Sequence, residues 1–170
     1  HALLCWLGGE KPSYLTIVAR GDHGGYMQHG DHENKGSYTK AELLTRIRTS
    51  LAGRAAEIVY YGDEEGISTG ASGDLQTATR IAEQMICNYG MGDTVGMSYV
   101  STRELDAGYG QTVRERVNAL LRAELANAVS IVRANLDAMD GMVEALLDRN
   151  HLKEQEIDEI FRTTGAALPT

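Results

Sequence analysis

Between Val113 and Leu136 apolar residues recur at every third or fourth position: Val113, Val117, Leu120, Leu121, Leu125, Val129, Val132, Leu136. Only an α-helix puts that spacing on one face, so a long helix is predicted from Thr112 onward. Met142, Val143, Leu146 and Leu147 continue the pattern, and Ile157, Ile160 and Phe161 finish it in a short helix. Two earlier stretches share the period. Thr39-Lys40-Ala41-Glu42 fits a capping box, and Leu43, Ile47, Leu51, Ala55, Ile58 and Val59 follow as one stripe to about Tyr61. A further helix is predicted from near Ser72, with Leu75, Ala78, Ala82, Met85, Ile86 and Tyr89 on one face and Gly90 closing it. The opening His1–Leu7 is helix-compatible and stops at Gly8-Gly9, with Pro12 just beyond.

Strand signals are confined to the start of the chain. Tyr14–Ala19 is rich in β-formers, and Gly24-Gly25-Tyr26-Met27 reads as a second short strand. Gln28–Ser37 is polar and reads as a solvated loop, Gly62–Gly70 as a turn-rich connection, and Gly92–Gly110 as irregular. The predicted fold is mainly α, with a small β-sheet near the N-terminus and a C-terminal helical bundle. Residues 1–170 are expected to form a single domain, in which 1–100 carry the functional part and 101–170 the C-terminal helices.

Composition narrows the function classes. Lys plus Arg number 16 against 24 Asp plus Glu, a formal charge of −8 that argues against a nucleic-acid partner. Cys5 and Cys87 are the only cysteines, each in an apolar stretch, so they read as buried thiols in a reducing compartment. A disulfide framework and a Cys-rich zinc site are excluded. No apolar run approaches the ~20 residues of a membrane-spanning helix, and there is no secretory leader pattern. Because the first residue is His rather than Met, the chain is expected to be a soluble fragment or processed product.

Four places carry residues with chemical potential. His1 combines an α-amine with an imidazole, a pair able to chelate copper. The helical pattern and the lack of a disulfide pattern argue against that reading; His1 otherwise reads as a tag remnant or arbitrary cut point, or as the tail of a metal-binding helix whose apolar successors Ala2, Leu3 and Leu4 enter the core. Asp74 follows the small-residue run Thr69-Gly70-Ala71-Ser72-Gly73 at a helix start, where the helix dipole alone favours a carboxylate. Absence of a following Lys removes the phosphate-loop reading. Glu57, in Gly53-Arg54-Ala55-Ala56-Glu57, is either an ion-pair partner of Arg54 three residues back or a partly buried functional carboxylate. His23, His29 and His32, with Asp31 and Glu33, are metal-ligand types in a polar, Gly-rich segment that reads as a solvated loop.

Taken together, the motifs resemble the peptidase domain of the FtsH-type ATP-dependent zinc metalloproteases. The resemblance runs nearly end to end: Val18-Ala19-Arg20-Gly21 with Gly24-Gly25-Tyr26, Tyr38–Leu43, Gly53–Glu57, Thr69–Thr79, Tyr89-Gly90-Met91, Glu144–Asp148 and Leu152–Ile157. Gly-Arg-Ala-Ala-Glu followed by Thr-Gly-Ala-Ser-x-Asp-Leu is its most specific part. The resemblance implies a helical zincin-type domain in which two His of a His-Glu-x-x-His motif and an Asp from a later helix hold one zinc. His1 then matches the second His, and Asp74 the third ligand. Glu57 is implied to support the site from behind the ligands. Gly24, Gly25, Tyr26 and Met27 match the strand edge that pairs with an extended substrate.

The first His and the Glu of that motif belong four and three residues before His1, outside this sequence, so no catalytic base is assigned within it. The expectation is a zinc endopeptidase domain that is inactive as the 170 residues alone. ATP enters only through an upstream ATPase module, absent from this sequence. The implied partners are unfolded or membrane protein substrates and a hexameric ring, at the cytoplasmic face of a membrane or in the cytoplasm. The alternative is a non-catalytic ring-forming or interaction module of the same fold.

Overall fold

A threonine starts the first long helix. The Thr39 hydroxyl accepts the Glu42 amide at 3.2 Å, and the Glu42 carboxylate accepts the Thr39 amide at 2.8 Å, so the expected capping box is formed at the head of α2 (Lys40–Ser50). The computed structural model describes residues 1–19, 25–29, 36–62, 66–92, 99–101 and 110–169. They fall into an internal unit, Ser37–Val129, and a terminal unit that joins His1–Gly36 to Ser130–Thr170.

In the internal unit the single stripe expected to reach Tyr61 is two helices. The backbone turns at Leu51, and α3 (Ala52–Tyr61) follows, ending at Gly62 with φ +85, a left-handed value that suits glycine. A 3₁₀ turn, Thr69–Ala71, runs directly into α4 (Ser72–Cys87), which ends two residues before the expected Tyr89. Helix α5 spans Gly110–Ala134, with Ser130–Ala134 belonging to the terminal unit. The core joins Leu43, Ile47 and Leu51 to Ala78, Ala82, Met85 and Ile86, with Val113 and Val117 of α5 completing it. Ala78 and Ala82 are fully buried one turn apart, and such small side chains let the α2 and α4 backbones come close.

A charge pair lies on α2 and α5, the helices that supply this core. Glu124, 5% exposed, accepts from Arg48 Nε and Nη2, both at 2.7 Å, and from Asn127 Nδ2 at 3.2 Å. Buried carboxylates survive only when paired in this way.

The terminal unit is built from both ends of the chain. It contains α1 (Ala2–Leu7), β1 (Pro12–Thr16), β2 (Tyr26–His29), α6 (Leu136–Arg149), β3 (His151–Lys153) and α7 (Glu154–Thr163). The sheet order is β2-β1-β3, antiparallel throughout, with Leu15 opposite Met27 on one side and Leu152 on the other. The first strand ends at Thr16 rather than Ala19, and the second is displaced to 26–29, taking in Gln28 and His29 from the expected loop. Strand β3 has no counterpart in the sequence reading, because three residues are too few to show a period. What sets it up is Asn150, left-handed at φ +63, whose carbonyl accepts the Ile17 amide at 3.1 Å and the Thr16 hydroxyl at 3.0 Å.

The stripe expected to run from Val113 through Leu136 is interrupted at Asn135, and Leu136 instead opens the helix that carries Met142. The buried Asn135 side chain donates to the carbonyls of Ile131 and Ala167 and accepts the Ala167 amide at 2.8 Å, fixing the C-terminal tail. Around the sheet, Phe161, Leu152 and Ile157 are buried, and the Trp6 ring lies 5.4 Å from that of Phe161. The Trp6 indole donates to Asp158 at 2.9 Å. That bond first, then Arg162 at 2.7 Å, holds the Asp158 carboxyl below the usual range against the cost of its partial desolvation. A mainly α chain with a small antiparallel sheet is what the sequence predicts, and it is what is observed. No helix among the described residues is long and apolar enough to cross a membrane.

Candidate metal and peptide-binding site

The candidate ligands lie one in each unit. In the terminal unit His1 is exposed at the start of α1, and its carbonyl accepts the Cys5 amide at 2.9 Å. Helix α1 is short but firmly set: Ala2, Leu3, Leu4 and Cys5 are buried, and it ends in a turn whose Gly9 has φ +83. The expected stop at Gly8-Gly9 is therefore found, and for the expected reason.

In the internal unit Asp74 is half-buried in the first turn of α4. The residues before it are fixed by a polar clamp on α3. Arg54 Nη2 donates to the Ser68 carbonyl at 3.0 Å, and the Ser68 hydroxyl donates to the Glu57 carboxylate. The same hydroxyl accepts the Gly70 amide at 3.1 Å. Arg54 Nη1 and Glu57 Oε2 face each other at 3.3 Å as an ion pair without hydrogen-bond alignment. The Ser68 hydroxyl is the main reason that the Glu57 carboxyl sits below the usual carboxylate range; Arg54 adds to this against the cost of burial. The ion pair weighed from sequence is thus present, but Ser68 is the stronger partner. Sequence reading passed over Ser68 because it lies inside a turn-rich connection; the signal was a Ser two residues ahead of a Gly, the pattern of a hydroxyl-capped turn.

Of the candidate peptide-binding strand, Gly25, Tyr26 and Met27 are described, and Gly24 lies outside the described residues. Strand β2 is an edge of the sheet among the described residues. Gly25 has a packing reason of its own, since a Cβ there would stand 2.5 Å from the Thr16 carbonyl oxygen. The Tyr26 and Tyr14 rings meet with centroids 5.8 Å apart, tilted by 39°. Of the histidine loop only the backbone of His29 is described, in β2; His23, Asp31, His32 and Glu33 lie outside the described residues. Both cysteines are buried thiols outside any disulfide, as expected.

Zinc takes imidazole and carboxylate donors readily, so the donor types at His1 and Asp74 suit it. Among the described residues, however, no group of three His, Cys, Asp or Glu side chains is placed to hold a metal ion. The described residues therefore do not by themselves complete a three-ligand site.

Comparison with known proteins adds the missing frame. The family model described as Peptidase family M41 matches residues 1–160. The chain is 31% identical over 168 residues to the ATP-dependent zinc metalloprotease FtsH of Metamycoplasma arthritidis, covering 91% of this chain and 22% of that protein. It is 33% identical over 169 residues to the ATP-dependent zinc metalloprotease FtsH 2 of Symbiobacterium thermophilum, covering 95% and 28%. The corresponding protein of Corynebacterium glutamicum is 30% identical over 177 residues, covering 95% and 20%. The chain thus spans between a fifth and a little over a quarter of the length of these curated relatives. With the family model matching residues 1–160, from the exposed histidine ahead of α1 into α7, the conclusion is that this chain belongs to peptidase family M41.

Proposed function

We propose that the 170 residues act as one proteolytic domain of an ATP-dependent zinc endopeptidase, with His1 and Asp74 as two of its zinc ligands. The observation that carries this reading is the family match across residues 1–160, supported by the secured position of Asp74 at the head of α4. In the resembled motif the remaining His and the Glu stand four and three residues before the position that His1 matches. Zinc bound there would supply a polarising charge and a water of lowered pKa, near ~7 in zinc hydrolases.

The residues of this chain have their own tasks. Helix α1 seats His1 by burying its next four side chains. Glu57 supports the Asp74 side from behind, through Ser68. The edge strand around Gly24, Gly25, Tyr26 and Met27 receives an extended peptide by main-chain pairing, which gives binding with little sequence preference. In the whole protein the substrates are unfolded or membrane proteins, ATP acts through a separate module, and the protein assembles as a hexamer at the cytoplasmic face of a membrane.

By ligand count the 170 residues alone are inert. The test compares this chain with one extended upstream through His-Glu-x-x, each with zinc, on an unfolded protein substrate. Chelator-sensitive cleavage by the extended chain only is expected. Equal cleavage by the 170 residues would overturn the ligand count.

A further inference from the structure

Ser68 is tied to α3 through both its hydroxyl and its carbonyl. Its hydroxyl donates to Glu57 and accepts the Gly70 amide, and its carbonyl accepts Arg54 Nη2. The 3₁₀ turn Thr69–Ala71 then enters α4 with no intervening loop, and Asp74 sits in that helix's first turn. Gly70 keeps the space open: a Cβ at that position would lie 3.2 Å from the Ser68 hydroxyl oxygen, which would have to shift by a few tenths of an ångström. The turn's place on α3 is therefore set by one serine, whose two anchors are partly buried charged side chains. A carboxylate's value as a ligand depends on how firmly its backbone is held, and supporting residues of this kind contribute heavily to metal affinity.

We propose that Ser68 is a positioning residue for Asp74, locking the Thr69–Ala71 turn to Glu57 and Arg54 so that the carboxylate is presented in one place. This rests on the reading of Asp74 as a zinc ligand. It reaches beyond that reading in naming a hydroxyl that touches neither metal nor peptide as a determinant of metal affinity.

The experiment uses the full-length protein and reads zinc affinity by competition with a chromophoric chelator. Amide exchange of the segment Ser68–Asp74 and the thermal midpoint are read in parallel. Ser68→Ala is expected to weaken zinc binding by about tenfold, the lower end of what such supporting residues contribute, and to speed exchange at Gly70 and Ala71. Ser68→Thr keeps the hydroxyl on an extended backbone that tolerates branching (φ −107, ψ 171), so it should restore affinity close to wild type. Glu57→Gln and Gly70→Ala, which disturb the clamp from either side, should fall between. In an Asp74→Asn background Ser68→Ala should add no further loss, because the clamp acts through Asp74.

Wild-type zinc affinity in a folded Ser68→Ala variant would overturn the proposal, as would an undiminished Ser68→Ala loss in the Asp74→Asn background. If Ser68→Ala does not fold, Glu57→Gln and Gly70→Ala decide: unchanged affinity in both overturns it as well. Should Asp74→Asn itself leave zinc affinity intact, the ligand reading fails first, a result distinct from failure of the clamp.

Discussion

The internal unit is tied together within a moderate span of chain, and the terminal unit across nearly all of it. The buried Arg48–Glu124 pair joins residues 76 apart, whereas Thr16 bonds Asn150 across 134 residues and Trp6 bonds Asp158 across 152. Closing a longer loop costs little extra, because the entropy grows only with the logarithm of length. The difference lies in vulnerability. The candidate ligand Asp74 depends on helices that are near neighbours in sequence, while His1 depends on a sheet and an aromatic contact supplied by the far end of the chain. Lesions near the C-terminus should therefore reach the first residues of the chain.

The sharpest way to break this comparison is Phe161→Ala. Phe161 is 1% exposed and carries the ring contact with Trp6. Truncating a buried aromatic costs about 3–5 kcal/mol. The expected result is loss of amide protection in α1, β1 and β3, read by native-state hydrogen exchange. Retained protection in β1 and β3 would mean that the two chain ends are held by something other than this aromatic contact.

In the internal unit the weak point is charge rather than contact length. Arg48→Met leaves the Glu124 carboxylate buried without its cation, which should cost about 2–4 kcal/mol, somewhat under a fully buried pair because Arg48 keeps partial solvent access. Replacing both partners, Arg48→Met with Glu124→Leu, should recover most of that loss in urea titrations. A double variant as unstable as the single one would show that the site needs the ion pair for its shape and not only for charge balance.

The same contrast explains what was legible in the sequence. Periodicity reads local order, so the cap at Thr39, the stripes of α2, α4 and α5, and the stop at Gly8-Gly9 were all visible. Breaks inside a stripe were not, because the apolar spacing across Leu51 and Asn135 is unchanged; Asn135 interrupts the helix through bonds to the distant Ala167. Strand β3 was invisible because its partner β1 lies at the other end of the chain. For the site, the motifs pointed to His1, Asp74 and Glu57, but Ser68 mattered only once α3 and the 3₁₀ turn were side by side.

The smallest effect separates the units by pH. Cys5, in the terminal unit, is 1% exposed, and its thiol donates to Glu10 at 3.8 Å. Burial first, then the nearby Glu10 charge and that hydrogen bond, push its pKa from 9.0 up to about 12. The sign follows from proton counts. Above pH 9 the unfolded thiol ionises while the folded one keeps its proton, so stability falls as pH rises between 9.0 and about 12. At pH 9.5 the loss relative to pH 8 should be about 0.8 kcal/mol from this group, on the scale of ~1.36 kcal/mol per pKa unit. Cys5→Ala should therefore show a shallower alkaline decline than the wild type in urea titrations at the two pH values, whatever the variant's absolute stability. Cys87, in the internal unit, is raised in the same direction by burial, with Glu83 adding to it. Cys87→Ala is thus the matching control, expected to flatten the decline in the protection of α4 rather than of β1. Identical pH slopes in Cys5→Ala and the wild type would show that Cys5 reaches solvent in the native state, and with it that α1, the helix seating His1, is not held as tightly as α4.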